Sequence, residues 1–248
     1  NYPISNTSWA APQPTDDGYS VAFSKDVTGK DIYTEGMKAD DKYKAAKEAA
    51  LGFFQAAGYT VADGKVTAAP KGAKTDYSVT IPGGGSGDHP SFMILDEAKK
   101  ALAEIGIKLT VNDLSDSSQL WDGLDANQIE MWCAAWGATP DPDMYQVYYS
   151  DVANGGANPG GSNYMNDLKD SKLDDLILQA RSTTDQDARK QMYKACLDII
   201  VDWAVEVPVY QRQECTIFSA KRVNLKTVTP DITPFYKWQD EIENIELN

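Results

Sequence analysis

Ile129-Glu130-Met131-Trp132-Cys133-Ala134-Ala135-Trp136-Gly137-Ala138-Thr139-Pro140-Asp141-Pro142-Asp143 is the stretch that decides the fold. Its first half is an apolar run of strand formers, and its second half is a Gly/Pro/Asp turn. A buried strand over 129–136 that opens into a turn at 137–143 delivers a binding loop to the edge of a sheet. Trp136, at the strand's end, allows two readings. It can stack on a ligand while its indole N–H donates a hydrogen bond, or it can pack in the core with one edge exposed. Trp132 shares its face at period two, and Tyr145, Tyr148 and Tyr149 are placed to extend an aromatic wall.

Upstream, Ile107 to Val111 alternates as a strand, and so does Thr75 to Ile81, with Tyr77, Val79 and Ile81 on one face. Between them the spacing of Leu95, Ala98, Leu102 and Ile105 predicts a helix from Pro90, ended by Gly106. An earlier helix opens at Asp40, carries Tyr43, Ala46, Ala50, Phe53 and Phe54, and closes at Gly58. Residues 65–73 read as a polar connector, and 115–124 as a short helix with Leu120, Trp121 and Leu124 apolar. Alternating strands and helices predict an α/β fold with a mainly parallel central sheet flanked by helices. The loops at the carboxyl ends of such strands line a ligand crevice, and here they are 82–88 and 137–143. Downstream, helices are predicted over 170–181 and from Asp185 to Trp203, and strands over Val205–Tyr210 and Cys215–Phe218. Residues 1–37 hold Pro3, Pro12, Pro14 and Gly18 and are expected to wrap over a supporting surface.

The 248 residues are enough for a large core in one domain or two. No apolar run approaches the ~18 residues of a membrane span. With 23 basic against 37 acidic residues the net charge is −14, which repels phosphate backbones and excludes nucleic acid as an expected partner. The start, Asn1-Tyr2-Pro3, has no Met and no signal-like apolar region, and reads as a mature protein or a cut fragment. Cys133, Cys196 and Cys215 form no CxxC pair and are expected to be buried free thiols, with one disulfide among them as the alternative.

His89 is the single histidine, so a two-histidine metal site is excluded and any Ser-His-Asp arrangement has to use it. It reads either as a ligand contact or general base, or as a capping residue at a helix start. The glycines around Gly84 lack the Lys-Ser/Thr of a phosphate loop and read as backbone facing a ligand or as a plain loop. Asp141 and Asp143 suit acid/base work or ordinary turn chemistry. A secreted hydrolase using Asp141, Asp143 and His89 is therefore the alternative to a binding protein. No metal or cofactor motif is present.

The series Ala101-Leu102-Ala103-Glu104-Ile105-Gly106-Ile107-Lys108-Leu109, then Trp121, then Ile129 to Asp143, resembles the extracellular solute-binding proteins of family 5, the peptide/nickel-type receptors of ABC importers. Ser162-Asn163-Tyr164, Leu173-Asp174-Asp175-Leu176, Asp185 to Tyr193 with Arg189, Val207-Pro208-Val209-Tyr210, and Asp40 to Tyr59 add to the resemblance in order. It implies a periplasmic-binding-protein-like lobe of type II, cluster C, with a mainly parallel central sheet flanked by helices. It further implies that residues 1–220 form a carboxyl-terminal ligand-binding lobe and that 221–248 return to a first lobe. The implied function is capture of a peptide or related small solute without catalysis and delivery to permease subunits. The implied setting is a monomeric extracellular lipoprotein or a periplasmic protein. The implied ligand contacts are Trp136, Gly137, Ala138, Thr139, Asp141, Tyr145, Asn163, Tyr164, Tyr210, Gly84 and His89. Peptide binders of the family hold the peptide amine with an aspartate where this chain has Thr139, so the resemblance leaves sugars and metal chelates open as ligands.

Overall fold

The computed structural model describes residues 2–150, 169–213, 215–233 and 235–248. The first helix, α1 (Ala39–Ala56), carries Asp40 and Asp41 in its first turn, where the helix dipole favours negative charge. Its end is closed by the Gly58 and Tyr59 amides, which donate to the Gln55 and Phe54 carbonyls. Strands β1 (Thr60–Ala62) and β2 (Lys65–Ala68) then form an antiparallel hairpin. Its two-residue turn is Asp63-Gly64, both with positive φ, a pairing that matches the twist of the strands. The polar connector expected at 65–73 therefore begins as a strand. The reason is Val66, which is buried and whose amide donates to the Ile105 carbonyl.

Strands β3 (Asp76–Ile81) and β4 (Lys108–Asp113) pair in parallel from Asp76↔Lys108 to Ile81↔Asp113. They are joined through α2 (Pro90–Glu104), as parallel pairing requires a long crossover. Val79, Thr80 and Ile81 are all buried, so the end of β3 is covered on both faces. Helix α3 (Ser118–Asp125) buries Leu120 and Leu124. The chain then returns to the free side of β3. The Thr80 amide donates to the Met131 carbonyl and the Cys133 amide donates to the Thr80 carbonyl, which gives one parallel bridge at Trp132. The mixed α/β architecture with a small parallel sheet is the expected class, but the strand foreseen over 129–136 amounts to that single bridge. Beyond Cys133 the backbone is exposed and irregular, because no described chain lies alongside to complete a ladder.

The next part of the chain is helical. A short α4 (Tyr145–Tyr148) leads towards α5 (Ser171–Ser182) and α6 (Gln186–Trp203). Asp170 caps α5 by accepting from the Lys172 and Leu173 amides, and Asp185 caps α6 by accepting from Ala188. Their core joins Met144, Tyr148, Leu173, Ile177, Ala180, Tyr193, Cys196, Leu197 and Ile200 with Ala10 of the amino-terminal segment. That segment does wrap a surface: Trp9 packs edge-on against Tyr193, and Lys190 reaches Asp16. The segments 205–210 and 215–218, expected as strands, carry no ladder among the described residues. Val207 is 64% exposed and Ile217 91%. The final residues fold on themselves through a Val223↔Leu247 bridge and an Asn248 side chain that donates to the Ala220 and Val223 carbonyls. Phe218 meets Trp238 edge to face. Cys196 is buried as expected, Cys133 is half-buried, and Cys215 is exposed, which corrects the expectation for that thiol.

Candidate functional site

The parallel pair ends at Ile81 and Asp113, and the Gly-rich loop 82–88 starts there. Asp113 organises it. Its Oδ2 accepts from the Gly87 amide at 2.9 Å, and a Cβ on Gly83 would lie 2.4 Å from its Oδ1. Gly83 is therefore required by contact. The Gly84 amide donates to the Leu114 carbonyl. Two of the loop's own N–H groups are thus satisfied within the chain, which leaves a poor anion cradle and agrees with the missing phosphate-loop residues. Gly84 itself is exposed at the sheet's carboxyl edge.

His89 is the N-cap of α2: its Nδ1 accepts from the Ser91 amide at 3.1 Å. The capping reading of this residue is the one the geometry shows. The Ser91 hydroxyl is within 3.2 Å of the Tyr210 hydroxyl. Burial pushes the nearby Cys133 thiol up, and the proximity of Ser91 offsets part of that push. His89, Ser91, Cys133 and Tyr210 thus meet at the same edge, although they come from three separate stretches of chain. Neither Ser91 nor Cys133 was singled out from the sequence as a site residue. The only sequence signal for Ser91 was its place two residues after a capping histidine.

Past Cys133, Trp136 stands 49% exposed, and Gly137, Ala138 and Thr139 are exposed beside it. The Thr139 hydroxyl donates to the Asp141 carbonyl at 2.5 Å, which tightens the turn. Asp141 is held by the helical half. Arg189 Nη2 donates to both of its carboxylate oxygens, at 2.9 and 2.8 Å, and the Tyr193 hydroxyl approaches at 3.4 Å. Arg189 is itself fixed. Its Nε donates to the Ala180 carbonyl, its Nη2 to the Tyr193 hydroxyl, and its guanidinium lies 5.3 Å from the centre of the Trp9 ring. The Asp141 carboxylate strengthens its hold on its proton. Asp143 accepts from the Tyr145 amide and lies 3.4 Å from Arg181 Nε. The Arg181 guanidinium sits 4.1 Å from the centre of the Tyr145 ring, and that ring stacks on Tyr149 at 4.5 Å.

Both loop carboxylates are therefore paired with arginines, and His89 is engaged at α2. None of the three bonds another, so the constellation a hydrolase would need is not assembled among the described residues. The anticipated aromatic wall divides. Tyr145 and Tyr149 form a stacked pair, while Tyr148 points into the helical core and donates to Glu206 at 2.6 Å. Asn163 and Tyr164 lie outside the described residues. Among those described, no cluster of His, Cys, Asp and Glu could hold a metal ion.

A scan against protein-family models finds no match, and a search of curated proteins finds none either. Solved structures do match. The oligopeptide-binding protein AppA from Bacillus subtilis, in complex with a nonapeptide, aligns over 81% of this chain and 34% of its own, with 20% identity and a TM-score of 0.55. NikZ from Campylobacter jejuni, in complex with Ni(L-His), aligns over 64% of this chain and 30% of its own, with 21% identity and a TM-score of 0.49. The oligopeptide-binding protein from Thermus thermophilus with a pentapeptide aligns over 69% and 30%, with 18% identity and a TM-score of 0.49. The chain spans about a third of the length of these structures. The fold, argued from the first of them, is periplasmic-binding-protein-like, a mixed α/β arrangement with a small parallel sheet.

Proposed function

We propose that this chain is the carboxyl-terminal ligand-binding lobe, residues 1–220, of a solute-binding receptor of an ABC importer, with 221–248 returning to a first lobe. The receptor takes a peptide or related small solute in a cleft between lobes and passes it to permease subunits, without catalysis. It works as a monomer outside the cell membrane, as a lipoprotein or in the periplasm. No described helix is long and apolar enough to cross a membrane.

The observation that carries this reading is that two loops leave the same edge of one parallel sheet. The 82–88 loop with His89 and Ser91, and the 133–143 loop with Trp136, both leave the carboxyl end of a parallel sheet, where α/β folds bind ligands. The fold likeness to an oligopeptide-binding protein supports it. Calorimetric titration of the full receptor with peptides, oligosaccharides and chelated metal ions tests it. The expected result is saturable heat with one class and loss of that heat in Trp136→Ala. Silence with every class, or turnover of any of them, sinks the reading. The chain alone is expected to bind weakly, since one wall of the cleft supplies only part of the contacts.

A further inference from the structure

The strongest feature outside the sheet edge is the pair of arginine clamps on the 137–143 loop. Resting on the reading of that loop as a ligand contact, we propose that Arg189 and Arg181 set its ligand preference: they make it an electrically neutral rim that receives an uncharged polar group and offers a cationic head group no free carboxylate to pair with.

The loop holds two carboxylates, Asp141 and Asp143, in a chain of net charge −14. Exposed carboxylates at a cleft lip would attract ammonium groups. Here each faces a guanidinium, so the four charges cancel. The Arg189 pair is the firmer one. Both Asp141 oxygens accept from Nη2, the Arg189 side chain is only 19% exposed, and Ala180, Tyr193 and Trp9 hold the guanidinium from other directions. A ligand ammonium would have to displace an arginine that cannot swing away, and charge-assisted pairs of this kind are the stronger hydrogen bonds. The Arg181 pair is looser, at 3.4 Å with 44% of the Arg181 side chain exposed. The Asp141 side chain is 53% exposed, but its charge is matched by Arg189, and the loop's other exposed groups are the half-exposed Trp136 and the backbone around Gly137 and Ala138. Those groups suit a neutral amide, hydroxyl or flat apolar face.

Collisional quenching of Trp136 reads the local charge without any ligand. The Trp136 signal is the difference between the wild type and Trp136→Phe, measured with caesium, iodide and the neutral quencher acrylamide. For the wild type, caesium and iodide are expected to quench to similar extents once scaled to acrylamide. Arg189→Met is expected to raise the caesium-to-iodide ratio about two- to five-fold, the change that one unit charge gives at loop distances under moderate screening. If Arg189→Met does not fold, Arg181→Gln, at a more exposed site, should move the ratio the same way by less. A ratio already dominated by caesium in the wild type, or one unmoved by either variant, overturns the proposal. In the full receptor, N-acetyl-trialanine amide should bind at least as well as trialanine amide, which differs from it only by the free amine. Tighter binding of the free amine by tenfold overturns the preference. If neither peptide nor any neutral solute binds, the ligand-loop reading itself fails and the preference with it, while the quenching ratio still reports whether the rim is neutral.

Discussion

Leu173, Ile177, Ala180, Tyr193, Cys196 and Leu197 of the α5–α6 pair are all at 0% exposure, whereas the cluster under the β1–β2 hairpin buries only Val66, Ile105 and Ile107. In the helical half every backbone bond is local, and two capped helices close their own core with help from Trp9 and Ala10. In the sheet half the backbone bonds depend on chain that arrives from far away. β3 has a full ladder on one side and a single bridge on the other. Helices α1 and α2 leave Phe53, Met93 and Ile94 exposed. The difference teaches where this molecule is rigid by its own means. The helical half is a closed unit, and through Arg181 and Arg189 it holds the loop that the sheet half sends out.

Substitutions can break that contrast. Leu197→Ala should cost about 2–5 kcal/mol in urea unfolding, and Leu102→Ala, half-buried on α2, clearly less. Equal costs would mean that the two halves share one core. Next in size, Gly83→Ala should destabilise by about 1–3 kcal/mol, because the added methyl meets Asp113. Its cost should shrink in an Asp113→Ala background, and a double-mutant cycle measures that coupling. Asp170→Ala should cost about 1 kcal/mol through loss of the α5 cap, seen as a lowered melting temperature.

The smallest effect is a pH dependence at the seam between the halves. Burial raises the Glu206 carboxyl above its ordinary value, and the Tyr148 hydroxyl offsets part of that. A raised folded value favours the protonated form in the folded state. The stability it contributes is full below the unfolded value, about 4.3, and is lost as pH rises through the folded one. Glu206→Gln should therefore gain on the wild type as pH rises towards neutrality, by under about 1 kcal/mol in unfolding titrations. A gain that grows towards acid instead would show that the Tyr148 bond to the charged form dominates.

What could be read from the sequence follows the same division. The helices α1, α2, α5 and α6 and the cap at Asp185 lie where periodicity and capping residues place them, because those signals are local. Strand β3 and its parallel partner were legible from alternation and from the helix between them. Residues 129–136, 205–210 and 215–218 carry strand-forming residues too, yet a strand exists only where a neighbour supplies the other half of the ladder, and no local pattern records that. At the site, Trp136 was found because a strand-end aromatic before a glycine is conspicuous. The pairing of Asp141 with Arg189 was invisible, since 48 residues separate them. His89 was visible as a residue, but its capping role depended on which way its ring turned.

Ala204 ends α6 in the left-handed region, with φ 54° and ψ 27°, a conformation that disfavours any residue with a Cβ. Six residues later Tyr210 touches Ser91. Six residues span at most about 20 Å, so this corner and its short run of chain act as a ruler between the bundle and the sheet edge. Ala204→Gly would relax the corner, and it would also let the ruler pivot. A gain in the stability of the bundle could then come with a looser grip of Tyr210 on the sheet.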